Sequence, residues 1–348
     1  MKKILILSGG GYIGHVLIEH LLSKNKFNIT VVDRFIFSKK NSYEKNPKLK
    51  IIKDDIRKLK KNIFKNKDVV IDLTNVSISP KGIKYYDILT WQIDYETRKK
   101  NIILSKDNGV KKFIYPSSCS VYGFSKKNKL LNETDKLSPK STYSKAQAKL
   151  EKFAVTQGNN DFCISILRLP TVFGISKRTR FDVIINSLVY DVFKSSKVNL
   201  LRNGKQKRPF IHIGDVARAF EFFIKSKPSL INNEIFNIGD EKNNINLIKL
   251  TKLIFKTLNK KENIQWYGKS DDRSYHVSFK KIKKLGFKCK YNIVYGIKEI
   301  YNNLDTKIVI PKIKNYNIQW LEKLRYIEKN INIKKNTQLS KKEISDYN

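Results

Sequence analysis

Short, wholly apolar runs alternate along the first half of the chain with longer stretches whose apolar residues return every three or four positions. Ile4, Leu5, Ile6 and Leu7 form the first run, and after a glycine-rich break Ile13, Leu17, Ile18, Leu21 and Leu22 recur at helical spacing. A run that is apolar at every position suits a strand buried on both faces, whereas the wider spacing gives a helix one apolar stripe. The same pattern predicts strands over residues 28–32, 49–52, 68–73 and 112–115, and one long helix over residues 85–107. Such alternation implies an α/β fold, a doubly wound parallel sheet of the Rossmann type with helices on both faces. Ligands on these sheets bind beyond the carboxyl ends of the strands, so those ends supply the candidate site residues.

The second half changes character. Helical spacing recurs over residues 181–193, 215–225 and 247–258, joined by short strands, and residues 323–348 are lysine-rich and polar, a pattern expected to give a helix and then a frayed tail.

The break after the first strand reads Gly9-x-Gly11-x-x-Gly14, with Tyr12 and Ile13 between the last two glycines. Strand, glycine turn and helix form the context of a dinucleotide-binding turn. The glycines let the backbone approach a pyrophosphate closely, and the helix N-terminus offers it unpaired N–H groups. The predicted second strand ends in Asp33, about twenty residues beyond the glycines, where a carboxylate accepts hydrogen bonds from the adenosine ribose. The expected cofactor is NAD rather than NADP, because Asp33 would repel a ribose 2′-phosphate, with Arg34 partly offsetting that repulsion.

Composition narrows the reading less than the pattern does. The 348 residues carry a net charge of +40, but the lysines occur in nearly every segment rather than along one face interleaved with aromatics. No specific nucleic-acid partner is expected from such a distribution. Cys119, Cys163 and Cys289 have no paired spacing, and His15 and His20 are too far apart for a metal pair on one helix face. No metal site is expected, and a reducing, cytoplasmic location is. No apolar run approaches the length of a membrane span, so no membrane insertion is expected.

One constellation goes beyond cofactor binding. Ser117-Ser118-Cys119-Ser120-Val121-Tyr122-Gly123 ends the fifth strand, and Ser141-Thr142-Tyr143-Ser144-Lys145 opens a helix further on. A serine hydroxyl and a tyrosine phenol beside a nicotinamide can move a proton on and off a sugar hydroxyl while hydride moves to the ring. With these residues in order, the chain resembles an extended short-chain dehydrogenase/reductase of the nucleotide-sugar epimerase and dehydratase branch, from Met1 to about Leu304.

The resemblance implies an NAD-dependent nucleotide-sugar epimerase that transiently oxidises the sugar at C4, in surface-polysaccharide sugar biosynthesis. The alternatives are a nucleotide-sugar keto-reductase, a dehydratase, or an NAD- and nucleotide-sugar-binding protein with lost or weakened catalysis. It also implies a homodimer, and three segments: a cofactor domain over 1–175, a smaller mixed α/β substrate domain over 176–310 interleaved with it, and a basic extension over 311–348. Ser118 and Tyr143 match the catalytic pair. Asp55 and Ile56 match an adenine-contacting segment, Leu73 and Thr74 the end of the fourth strand, and Pro170 a further cofactor contact. Substrate contacts are implied for Ser118, Ser120, Thr171, Asn186, Arg208 and Arg273, the two arginines on the nucleotide diphosphate.

Two positions depart from the family pattern. Ser8 stands where the family's first glycine falls. Gln147 stands four residues after Tyr143, where the family carries a lysine that hydrogen-bonds the nicotinamide ribose and lowers the phenol pKa. Lys145 and Lys149 are out of step with that position on a helix. Tyr143 is therefore expected to work at higher pH than in relatives. Cys119 and Ser120, just after Ser118, are poor general acids, which favours epimerase or keto-reductase chemistry over 4,6-dehydration.

Overall fold

The structure is a computed structural model that describes residues 1–40, 43, 45–76, 84–125, 129–268 and 274–335, the side chains of Lys84 and residues 327–335 excepted. Seven parallel strands form its main sheet. From one edge to the other they are Glu234–Asn237, Cys163–Leu169, Lys112–Ser118, Val69–Asp72, Lys2–Leu7, Phe27–Asp33 and Leu49–Lys53. The chain winds from Lys2–Leu7 outward in one direction and then returns to Val69–Asp72 and continues in the other. The reversal falls between Leu7 and Asp72, and this is where a crevice opens beyond the strand ends.

The first strand shows why its apolar run is unbroken. Ile4 and Ile6 enter the core on one face of the sheet, beneath helices Tyr12–Ser23 and Ile213–Lys225. Leu5 and Leu7 enter the core on the other, beneath helices Arg98–Asp107 and Thr142–Ala154. All four are fully buried. Each such side chain is worth about 1.5–3 kcal/mol relative to exposure, and a polar substitution at any of them would open one of the two cores. A third core lies off the sheet, where helices Ile184–Ser195, Leu247–Thr257 and Ile293–Asp305 enclose Phe173, Val189, Phe210, Ile254 and Ile297. A small sheet of Thr171–Phe173, Lys207–His212 and Asn244–Asn246 borders it.

The helix expected over 85–107 is not uniform. It runs as an α-helix over Lys84–Trp91, widens to a π-helix over Gln92–Thr97, and resumes as Arg98–Asp107. The wide turn lies where Asp94, Arg98, Asn101 and Ser105 form a polar stripe that faces inward and is buried throughout. Wide turns of this kind frequently mark functional sites.

The chain's last described element, helix Asn317–Lys335, begins earlier than the lysine-rich stretch suggested. The Trp320 indole N–H donates to the Ile36 carbonyl at 2.8 Å, and Asn317 Nδ2 donates to the Val76 carbonyl at 3.2 Å. From the other side, the Asn317 backbone N–H donates to Asp182 at 3.0 Å. The segment thus ties loops after the second and fourth strands to the chain beyond Gly174. Among the described residues no helix is long and apolar enough to cross a membrane.

Candidate active site

Beyond the carboxyl ends of the sheet lies a cleft of about 2390 Å³. The helix Tyr12–Ser23 points its N-terminus into it. Its N-cap is Gly11, with no side-chain cap, so the first-turn N–H groups are left for a ligand. Gly14 is required by contact: a Cβ there would come within 2.1 Å of the Gly9 carbonyl oxygen. Ser8 adopts a left-handed backbone with φ of 56°, and its hydroxyl lies 3.2 Å from that of Thr74. The glycine position of the family pattern is thus one where glycine's conformational freedom matters, and serine occupies it under strain.

Gly11, Tyr12, Ile13 and Gly14 line the cleft, as do Asp33, Arg34, Asp55, Ile56, Leu73 and Pro170. Gly9 and Thr74 lie beneath the lining instead, Thr74 fully buried. Asp33 accepts from the Gly10 N–H at 2.8 Å and the Phe35 N–H at 2.5 Å, which fixes its carboxylate at the end of the second strand. Burial raises its pKa. Arg34 turns toward Asp55, 3.7 Å away, and Asp55 is gripped more closely by Arg57 at 2.6 Å. The hydrogen bonds from Arg57 hold the Asp55 carboxyl down to about 2. An uncapped helix start, a glycine turn and a buried carboxylate at the neighbouring strand end together fit a dinucleotide.

At the other end of the cleft, Ser118 ends the strand Lys112–Ser118 and caps the short turn Cys119–Tyr122 by accepting from the Ser120 N–H at 3.1 Å. Ser141 and Ser144 cap the helix Thr142–Ala154 reciprocally, which places Tyr143 in its first turn. The Tyr143 hydroxyl accepts from Asn75 Nδ2 at 3.4 Å, and Ser118 lines the same cleft. Burial raises the phenol pKa above its ordinary value, and the charge of Asp94 adds to the rise; Ser118, Asn75 and Arg98 oppose it. Ser120 and Thr171 line the cleft, whereas Cys119 is buried behind it.

Arg208, on strand Lys207–His212, also lines the cleft, with its guanidinium 5.3 Å from the Tyr275 ring centre and one N–H donated to the Lys207 carbonyl at 2.8 Å. Arg273 lies outside the described residues. Asn186 does not line the cleft. It is fully buried, accepting from the Gly174 N–H at 3.0 Å and donating to the Tyr12 hydroxyl at 3.1 Å and the Arg180 carbonyl at 2.8 Å. The family resemblance implied substrate contact for Asn186, but the backbone at Gly174 and Arg180 takes its hydrogen-bonding capacity.

Gln147 is buried behind the cleft wall, and its amide oxygen accepts from Arg98 Nη1 at 2.9 Å. Asp94 is fully buried nearby, one oxygen accepting from the Val76 N–H at 2.9 Å and the other without a partner among the described residues. Burial raises its carboxyl to about 7. Sequence reasoning missed both Asp94 and Arg98. The available signal was the helical spacing of Asp94, Arg98, Asn101 and Ser105, a polar stripe that reads as solvent-facing in a lysine-rich helix.

The chain is similar to characterised proteins along most of its length. It is 29% identical to the bifunctional polymyxin resistance protein ArnA of Wigglesworthia glossinidia brevipalpis over 73% of this chain, and it spans 41% of that longer protein. It is 27% identical to the dTDP-D-glucose 4,6-dehydratase of Mus musculus, over 86% of this chain and 87% of the other. Among solved structures, the UDP-glucuronic acid 4-epimerase of Bacillus cereus, in complex with UDP-glucuronic acid and NAD, has the same fold, with a TM-score of 0.79 and 21% identity over 88% of this chain and 99% of that one. The model for the NAD dependent epimerase/dehydratase family matches residues 4–239. With NAD as its cofactor, the chain belongs to the NAD dependent epimerase/dehydratase family.

Proposed function

We propose that the chain is a nucleotide-sugar 4-epimerase. The observation that carries this reading is that Ser118 and Tyr143 line one cleft in which the two positions after Ser118 offer no general acid. Burial pushes the Cys119 thiol far up, and Ser120 is an unactivated hydroxyl. Eliminating water from a hexose needs a proton donor at the leaving hydroxyl, whereas oxidising and reducing C4 needs only a base that gives its proton back.

When bound, NAD would supply a reversible hydride acceptor for the sugar carbon. Gly11 to Gly14 and Asp33 hold the adenosine and pyrophosphate end. Tyr143 takes the proton from the C4 hydroxyl at its phenolic oxygen and later returns it, and Ser118 orients both hydroxyls. Arg208 binds the nucleotide diphosphate from the opposite wall. Epimerisation follows if the oxidised sugar presents its other face before the hydride returns.

UDP-glucuronic acid, UDP-glucose and UDP-N-acetylglucosamine, each incubated with protein and NAD and read by mass spectrometry and NMR, test the reading. A product of unchanged mass with inverted C4 is expected from at least one nucleotide sugar. A product lighter by one water, a 4-keto-6-deoxy sugar, contradicts it.

A further inference from the structure

Behind the wall of the cleft a cation is buried with no carboxylate paired directly to it among the described residues, although Asp72 and Asp94 both feel its charge. Arg98 is 1% exposed. Its guanidinium donates to neutral acceptors, the Gln147 amide oxygen at 2.9 Å and the Pro116 carbonyl at 2.8 Å, and its plane lies 4.5 Å from the centre of the Tyr115 ring. Asp72, the nearest acid on the sheet, spends its oxygens on the Thr74 N–H at 2.9 Å and on Asn101 Nδ2 at 3.2 Å. A buried charge is costly unless something requires it, and removing water from around it strengthens its field.

Gln147 stands four residues after Tyr143, one helical turn on and on the same face. Its side chain thus forms the bridge from the guanidinium to the turn that carries the phenol. Its amide nitrogen is buried and has no partner among the described residues. We propose that Arg98 is the cation that makes Tyr143 usable as a base, held in place by Gln147, so that a charge reaches the tyrosine from the neighbouring helix rather than from its own. This rests on Tyr143 being the base proposed above. Arg98 is a positioning residue, set behind the cleft rather than in it.

The other charged groups around the tyrosine leave this role to Arg98. Asp94, on the wide helical turn, opposes ionisation of the phenol, and Asp72 lies at the strand end below. Lys145 is exposed on the outer face. The Lys149 ammonium sits over the Trp91 and Tyr95 rings, 5.0 and 4.9 Å from their centres. Glu151, two turns on from Tyr143, is bound to Arg168 at 2.8 Å.

The test titrates Tyr143 in NAD-free protein, by tyrosinate absorbance with the Tyr143→Phe variant subtracted, beside pH–rate profiles of the same proteins. Arg98→Gln should move the titration and the alkaline limb of the profile up by at least about one pH unit. Adding Gln147→Lys to Arg98→Gln should bring both back toward wild type. Gln147→Lys alone should fold poorly, because it sets an ammonium against the guanidinium. If Arg98→Gln does not fold, Arg98→Lys carries the test: it keeps the charge and should titrate close to wild type. A folded Arg98→Gln protein that titrates as wild type overturns the proposal, as does an Arg98→Lys protein shifted as far as loss of the charge predicts. A Tyr143→Phe protein with full activity would instead overturn the choice of base, and the titration would still report on Arg98.

Discussion

Glu151 and Arg168 form a buried ion pair at 2.8 Å, with side chains 2% and 3% exposed. The pair joins the helix that carries Tyr143 to the strand Cys163–Leu169. Glu151 also accepts from the Ser117 hydroxyl, next to Ser118, and Arg168 donates to the Tyr122 hydroxyl at 2.8 Å. One network therefore links the strand that ends in Ser118 to the helix that carries Tyr143. Removing one partner of a buried pair leaves an uncompensated charge and costs about 3–5 kcal/mol. Glu151→Ala should lose about that much stability in urea denaturation, and turnover should fall by more than cofactor affinity does.

Asp94 offers a sign that two experiments share. Its carboxyl is raised to about 7 by burial, against roughly 4 in an unfolded chain. The folded state therefore holds this proton more tightly. Stability from this group is fully present below about pH 4 and is lost as pH rises toward 7. Asp94→Asn should match wild type at low pH and exceed it above neutrality in thermal melts at a series of pH values. The same variant removes a negative charge that faces Tyr143, so its pH–rate profile should move toward neutrality.

Ser8 holds a left-handed backbone at φ of 56° where the family pattern has glycine. A non-glycine residue in that region costs roughly 1–2 kcal/mol, and glycine's greater chain entropy and the lost contact with Thr74 offset part of the gain. Ser8→Gly should stabilise the protein by a net of up to about 1 kcal/mol in denaturant titration and leave NAD affinity unchanged or higher.

The segment through Trp320 ties the loop at Ile36 to the loop at Val76 across the cofactor end of the cleft. Trp320 is 7% exposed, and Arg178, itself buried, donates to the Lys314 carbonyl at 3.1 Å. Truncation after Pro311 should leave the two sheet cores intact and lower the melting temperature only modestly, because the segment packs on neither of them and reaches the core off the sheet only through Tyr316. NAD should dissociate several-fold faster in stopped-flow displacement, since both loops lose their tether.

Much of this organisation was readable in the chain. Ile4 to Leu7 alternate between two cores, so an unbroken apolar run was the right sign of a strand covered on both faces. Gly14 lies against the Gly9 carbonyl and Asp33 ends the second strand beside Gly10, where the spacing of the turn placed them. Ser118 and Tyr143 stand at a strand end and a capped helix start, both of which leave local signatures. Asp94 and Arg98 were not legible, because burial of a polar stripe depends on which helix face meets the sheet, and the hydrogen bond from Arg98 to Gln147 joins two helices that no local pattern pairs. Asn186 misled for the converse reason: its amide serves the backbone at Gly174 and Arg180, a tertiary contact that no local pattern announces. The tether through Trp320 joins residues nearly the whole chain apart, beyond the reach of any periodicity.

The central claim is that Tyr143 serves a reversible oxidation at C4 with no elimination. Its most direct test is proton NMR of a turned-over nucleotide sugar in deuterated water, with wild type and Tyr143→Phe compared. Wild type should yield the C4 epimer with the C4 hydrogen carried over from the substrate and no deuterium entering C5 or C6, and Tyr143→Phe should slow this by roughly 10²–10⁴-fold. Solvent deuterium at C5 or C6 in a 4-keto-6-deoxy product, or unchanged turnover by Tyr143→Phe, would contradict it.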